Sequence, residues 1–299
     1  MSLFTGLGAF PLTPLAEDVV DEAAFVALVE RLAGAGVDSI TALGSTGSYA
    51  YLSETERARV AQLAVQYAGD TPVFVGVGAL RTSHVLKHVD SAETAGAAGI
   101  LLAPMSYQPL TDADVFELFR TVSEHTELPI ILYNNPGTTH FTFSTDLYAR
   151  IAQLPGIASI KMPSVPADLA EARSRVTEVR AVVPDHVSIG ISGDATAAYA
   201  LSAGCDAWYS VIGGTLPEPA LRITRAALAG RVDEALAESE RLAPLWQLFA
   251  EYGGSIRVIA AVAEHLGLAA ERSLPLPIQG LDAAGRSRVA EAIDSLALA

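Results

Sequence analysis

The chain has 299 residues, is 51% hydrophobic and carries a formal net charge of −15. Neutralising phosphates takes clustered Lys and Arg, and no such run occurs, so nucleic acid is excluded as a partner. The single cysteine, Cys205, rules out an intrachain disulfide and a thiolate metal cluster. No uninterrupted apolar stretch reaches the ~18 residues a membrane span needs. MSLFTGLGAF has neither a basic region nor an A-x-A site, so no signal peptide is read there. A cytoplasmic protein with no membrane partner is the expectation.

In chain order, apolar strand-like runs alternate with helix-period segments. LGAFPLTP (7–14) precedes 21–36, where Phe25, Leu28, Val29 and Leu32 fall at helical spacing. SITALGS (39–45) precedes a helix whose start carries Ser53 and Glu56 at capping-box spacing. PVFVGVG, GILLAP, PIILYN, IASIKMP, SIGISG and AWYSVIG follow, each leading into a helical segment. Eight strand–helix units result. Most of the strands are continuously apolar, the pattern of strands buried on both faces in a helix-covered parallel sheet. The fold class expected is α/β, a (β/α)8 TIM barrel over 1–230, a fold that absorbs roughly 250 residues in one domain. An open doubly wound sheet is the competing reading. It calls for G-x-G-x-x-G, and the Gly6/Gly8 and Gly76/Gly78 pairs lack the third glycine. Beyond 230 the strands stop, and three helical segments over 231–299 read as a C-terminal extension packed on the barrel.

Catalytic groups of such barrels sit at the C-terminal ends of strands and in the loops after them. IASIKMPS (157–164) places Lys161 there, in a chain with two lysines and seventeen arginines. A lysine surrounded by Ile160 and Met162 is desolvated, which lowers its pKa and leaves a neutral amine able to attack a ketone. The imine then acts as an electron sink for making or breaking an adjacent C–C bond. The plain alternative is a strand-end lysine snorkelling to solvent, as Lys87 does in the polar segment LKHVD. The turn Gly44-Ser45-Thr46-Gly47-Ser48 offers two hydroxyls and successive N–H groups, a nest for a carboxylate, or else an ordinary polar turn. Tyr133, at the end of PIILYN, is a proton carrier or a packed phenol. Tyr107 lies in a proline-flanked loop and reads as packing or an interface. His84 and His88 have i, i+4 spacing, but on an outer helix. The six histidines form no strand-end cluster, so no metal is expected.

Taken together these residues resemble the dihydrodipicolinate synthase / N-acetylneuraminate lyase family of class I, pyruvate-handling aldolases. The turn Gly44–Ser48, Tyr133-Asn134-Asn135-Pro136, Ser159-Ile160-Lys161 and Ser192-Gly193-Asp194 meet its motifs in order across essentially the whole chain. The resemblance implies a covalent imine between Lys161 and pyruvate or another 2-oxo acid, with no separate cofactor. It implies that Ser45 and Thr46 hold the carboxylate, with Gly44 and Gly47 in the same turn, and that Tyr133 moves protons. It implies that Tyr107 reaches a neighbouring subunit's site in a relay with Ser45 and Tyr133, in a homo-oligomer, commonly a tetramer built from dimers.

Departures cluster on the second-substrate side. Thr138 stands where dihydrodipicolinate synthases carry a carboxylate-gripping arginine, and threonine cannot replace that bidentate fork. Ser48 replaces the turn glutamate, and Met162-Pro163-Ser164 follows the lysine. Tyr209 falls where a small aliphatic residue often lines the pyruvate pocket. Arg81 and His140, in loops on the same face, are candidates to meet the partner instead. Three functions stay open on the sequence: a pyruvate lyase or aldolase with an unidentified aldehyde partner, an aldolase or dehydratase of 2-oxo-3-deoxy sugar acids or an N-acetylneuraminate lyase-like enzyme, and a degenerate 2-oxo acid binder without turnover.

Overall fold

The computed structural model describes residues 3–298. Eight parallel strands close into a barrel: β1 Gly6–Ala9, β2 Ser39–Ala42, β3 Val73–Gly76, β4 Gly99–Leu102, β5 Ile130–Tyr133, β6 Ile157–Met162, β7 Ser188–Ile191 and β8 Ala207–Ser210. Each strand neighbours the next in sequence, and β1 pairs with both β2 and β8. The connecting helices are α1 Glu22–Ala35, α2 Glu54–Tyr67, α3 Thr82–Ala95, α4 Asp112–His125, α5 Thr145–Ile151, α6 Leu169–Arg180, α7 Ala197–Ser202 and α8 Pro217–Leu228. The barrel expected from eight apolar runs is therefore present. The Ser53–Glu56 capping box at the start of α2 forms as its spacing predicts.

Two boundaries differ from the sequence reading. The first strand stops at Ala9, although the apolar run continues to Pro14. Pro11 and Pro14 lack the N–H a ladder requires, and a short hairpin, Leu15–Ala16 against Val19–Val20, follows instead. The three expected C-terminal helical segments are present, with the first divided into α9 Val232–Arg241 and α10 Ala243–Glu251. Pro244 has no amide for a continuous helix but fits the first turn of a new one, with Leu242 at the junction. The remaining segments are α11 Ile256–His265 and α12 Ala283–Ser295, which pack together, while α9 packs on α7 and α8. No helix among the described residues is long and apolar enough to cross a membrane.

Strand alternation separates two apolar layers. The larger fills the space between sheet and helices and includes Ile40, Ile100, Leu132, Ile160, Met162 and Trp208. The smaller lines the barrel interior with Phe10, Phe74, Leu101, Ile131, Tyr133 and Tyr209. Met162 therefore faces the helices while Lys161, its neighbour, faces inward.

Candidate active site

Lys161 is 1% exposed, at the C-terminal end of β6. In register it lies opposite Tyr133 of β5 on one side and Gly190 of β7 on the other. Its Nζ donates to the Tyr209 carbonyl at 3.0 Å and stands 4.2 Å from the centroid of the Phe10 ring and 4.7 Å from that of Tyr133. Burial among these rings pulls its pKa from 10.5 down to about 7, against the upward pull of Asp194. A large share of the amine is thus neutral and nucleophilic near pH 7.

Tyr133 is buried, and burial raises its pKa. Hydrogen bonds from Ser45, Ser192 and Asn135 oppose that rise. The Asn135 side-chain amide donates to the Tyr133 hydroxyl at 2.8 Å and approaches Ser45 Oγ at 3.4 Å. One amide thereby ties the end of β5 to the turn after β2. In the sequence Asn135 is only the variable position of the Tyr133–Pro136 motif, and its bridging role emerges from the fold. A short polar side chain two residues after a strand-end tyrosine is the available signal.

The Gly44–Ser48 turn is set by backbone rather than by helix capping. Leu43 and Ser48 both adopt left-handed φ, 59° and 55°, which side chains other than glycine rarely accept. Leu43 puts its carbonyl over Gly76, where a Cβ would lie 1.8 Å from that oxygen. Ser48 N–H donates to the Ser45 carbonyl. Among the described residues the amides of Ser45, Thr46 and Gly47 have no protein acceptor. Thr46 is buried and Ser45 half-buried at the barrel mouth.

Tyr209 reaches the lysine from β8. Its ring centroid lies 5.7 Å from the lysine nitrogen. Tyr209 is 1% exposed and runs down the barrel, with its hydroxyl 2.7 Å from Ser159 Oγ, two residues before Lys161. Gly8 and Gly190 make room for the ring, since a Cβ at Gly190 would fall 2.3 Å from Tyr209 Cε2. Tyr209 thus meets the amine with its carbonyl, at 3.0 Å, and with its ring beyond it.

Asp194 is a second group the sequence quoted without a role. Its carboxylate accepts from Trp208 Nε1 at 3.0 Å, Ser210 Oγ at 3.3 Å and the amides of Val211 and Ile212 at 3.2 and 2.8 Å. Burial raises its pKa, opposed by these donors and by Lys161. It fastens the loop after β7 to the end of β8, whose Tyr209 carbonyl meets the lysine.

The remaining predicted residues are not brought to the amine. Tyr107 is 89% exposed, and Thr138, Arg81 and His140 are all exposed. Thr138 Oγ1 reaches only the Asn135 carbonyl, at 3.5 Å. His140 closes the short helical turn Pro136–Thr139 with φ 55°. Lys87 pairs with Glu54 at the surface, and His88 is buried on α3. No group of three or more His, Cys, Asp or Glu among the described residues is placed to hold a metal.

A buried, partly neutral lysine facing a strand-end phenol and an amide-lined turn is the apparatus of imine chemistry. Residues 3–296 match the dihydrodipicolinate synthetase family. The chain belongs to that family. The 4-hydroxy-tetrahydrodipicolinate synthase of Phenylobacterium zucineum is 32% identical over 294 residues, 97% of each chain. A dihydrodipicolinate synthase structure from Agrobacterium tumefaciens superposes with a TM-score of 0.94 at 46% identity, over 98% of each chain. The structure of the Acinetobacter baumannii dihydrodipicolinate synthase, solved with pyruvate, matches at 25% identity and TM-score 0.87 over the full length of both chains. Enzymes of this family are lyases that use pyruvate through a lysine Schiff base, with no metal or other cofactor.

Proposed function

We propose that Lys161 forms the imine with pyruvate or a close 2-oxo acid, and that the enzyme joins this unit to an aldehyde or releases it from an aldol. The observation that carries the reading is the Lys161 amine, buried, shifted to about 7 and opposite Tyr133. The neutral amine attacks C2, and the carbinolamine loses water as Tyr133 returns a proton to the departing oxygen. The Tyr133 phenolate takes a methyl proton to give the enamine, which attacks the aldehyde carbon as the phenol hands that proton to the developing alkoxide. Hydrolysis of the new imine frees the product and restores the amine, and the reverse sequence cleaves it. The amides of Ser45, Thr46 and Gly47 hold the carboxylate, with Gly44 leaving room for the Phe10 ring, 2.6 Å from where a Cβ would stand. The Tyr209 carbonyl keeps the lysine aimed at C2.

The second-substrate side departs from dihydrodipicolinate synthesis. Thr138 offers a hydroxyl where a carboxylate-bearing aldehyde would need a guanidinium. That observation favours a hydroxylated partner, so cleavage or dehydration of a 2-oxo-3-deoxy sugar acid is the second reading. Arg81 and His140 lie in the loops such a partner would pass. Tyr107, exposed in the loop after β4, fits a role in a neighbouring subunit's site, in a tetramer built from dimers. The barrel of 1–230 carries the chemistry, with 231–299 packed on it, and the cytoplasm is the compartment proposed.

The test is incubation with pyruvate and borohydride. One reduced pyruvate should appear on Lys161 by intact and peptide mass, and none on Lys161→Ala. An adduct that survives Lys161→Ala would sink the assignment. Product analysis with pyruvate plus aspartate semialdehyde, and with 2-oxo-3-deoxy sugar acids, separates the two substrate readings. Adduct formation without turnover of any substrate would identify a binder instead.

A further inference from the structure

Of the seventeen arginines, Arg57 is the buried one among the described residues, at 5% exposure. It sits in the first turns of α2, directly after the Gly44–Ser48 turn and the single 3-10 turn Tyr49–Tyr51. Its two terminal nitrogens donate to the carbonyls of Gly76 at 2.8 Å and Gly78 at 2.9 Å, at the C-terminal end of β3. The Tyr49 ring covers the guanidinium, with 5.3 Å between Cζ and the ring centroid. Among the described residues no carboxylate forms an ion pair with it, and its buried Nε has no partner. Neighbouring His88 adds no charge, because burial first and Arg57 second press its pKa down to about 4.

A buried guanidinium without a counter-ion is costly, by several kcal/mol for the charge alone. Packing does not explain it, since a neutral side chain could fill the space without that cost. The location does. Gly76, whose carbonyl Arg57 grips, is also the residue pressed against the left-handed Leu43 that opens the turn. Tyr49 stands between Arg57 and the centre. Its hydroxyl would lie 3.4 Å from a Cβ on Gly78, and the Tyr133 phenol acts on it electrostatically. A positive charge at this depth is weakly screened and acts strongly on an anion held by the adjoining amides.

We propose that Arg57 is a positioning residue that supplies a fixed positive charge behind the 2-oxo acid's carboxylate, acting through Tyr49 and the Leu43–Ser48 turn. It does what the entry arginine replaced by Thr138 cannot do here, but for the first substrate rather than the second. This inference rests on the imine reading above, and it concerns the carboxylate rather than the carbonyl.

The experiment compares borohydride trapping of pyruvate and of its uncharged methyl ester by wild type, Arg57→Met, Arg57→Gln and Arg57→Lys, alongside thermal unfolding. The neutral variants should need about tenfold more pyruvate for half-saturation, a change of ~1.4 kcal/mol, with the ester unaffected. Arg57→Lys should restore pyruvate saturation to near the wild-type value. Equal losses for pyruvate and ester, or an Arg57→Lys as impaired as Arg57→Met, would show that Arg57 only packs. If Arg57→Met does not fold, Arg57→Gln and Arg57→Lys decide the matter by the same comparison. A wild type that forms no adduct defeats the imine reading itself, whatever the variants do.

Discussion

Tyr133 and Lys161 face each other across the β5–β6 ladder, and the lysine nitrogen stands 4.7 Å from the centroid of the tyrosine ring. The phenol and the amine are thus placed by strand register rather than by a loop. A one-residue slip would turn either side chain to the helix layer, because successive residues of a strand face opposite sides.

The first consequence concerns pH. Only the neutral amine attacks a carbonyl, and burial sets its pKa at about 7. The rate of imine formation at low pyruvate should therefore fall about tenfold per pH unit below 7 and level off above it. Timed borohydride quenching across pH 5–9 measures this. A break near the ordinary lysine value would contradict the burial argument.

The same shift predicts a stability effect. The folded-state pKa lies below the unfolded value of 10.5, so the native protein resists holding this proton. The cost is absent above pH 10.5, grows as pH falls toward 7 and is full below 7. Lys161→Met, which fills similar space without charge, should therefore stabilise the protein at low pH, by at most about 5 kcal/mol. The gain should shrink toward zero as pH approaches 10.5. Denaturant unfolding of both proteins at several pH values checks the sign and the slope.

The barrel was legible because both its signals are local: continuous apolar strands and caps such as Ser53–Glu56. Lys161 and Tyr133 stand out as candidates in the sequence because one of only two lysines lies in an apolar run and a phenol ends a strand. Asn135, Asp194 and Arg57 do not, since their roles lie in partners 14 to 90 residues away. The direction of Tyr209 was illegible for a related reason. It depends on Gly8 and Gly190 leaving space on two neighbouring strands, a fact of three-dimensional packing.

Removing the Tyr133 hydroxyl should separate chemistry from fold. Tyr133→Phe keeps the ring beside Lys161 and leaves the Asn135 amide with Ser45 Oγ as its remaining partner. Turnover should fall by about 10²-fold or more, the scale of a lost general acid–base group. The loss in stability should stay within about 1–3 kcal/mol, the net worth of the hydrogen bonds the phenol shares with Ser45, Ser192 and Asn135. Steady-state kinetics and a thermal melt on the same preparation test both halves. Asn135→Ala should lower turnover less, since the phenol remains and loses only one of its partners.

The Tyr209–Gly190 contact gives a prediction with a built-in rescue. A methyl at Gly190 would meet Tyr209 Cε2 at 2.3 Å, too close for the ring to stay where it is. Gly190→Ala should cost about 1–3 kcal/mol by overpacking. It should also weaken imine formation, because shifting Tyr209 moves the carbonyl that Lys161 Nζ holds at 3.0 Å. Tyr209→Leu alone leaves a cavity and strands the Ser159 hydroxyl, so it too should destabilise. In the double variant the leucine has no atom at the Cε2 position, so the closest overlap is gone and the one at Cδ2, 2.7 Å, is left to a flexible side chain that can turn away. The combined loss should then be smaller than the sum of the single losses, the coupling expected of residues in direct contact. Purely additive losses in unfolding free energy would mean that the ring and Gly190 do not constrain each other.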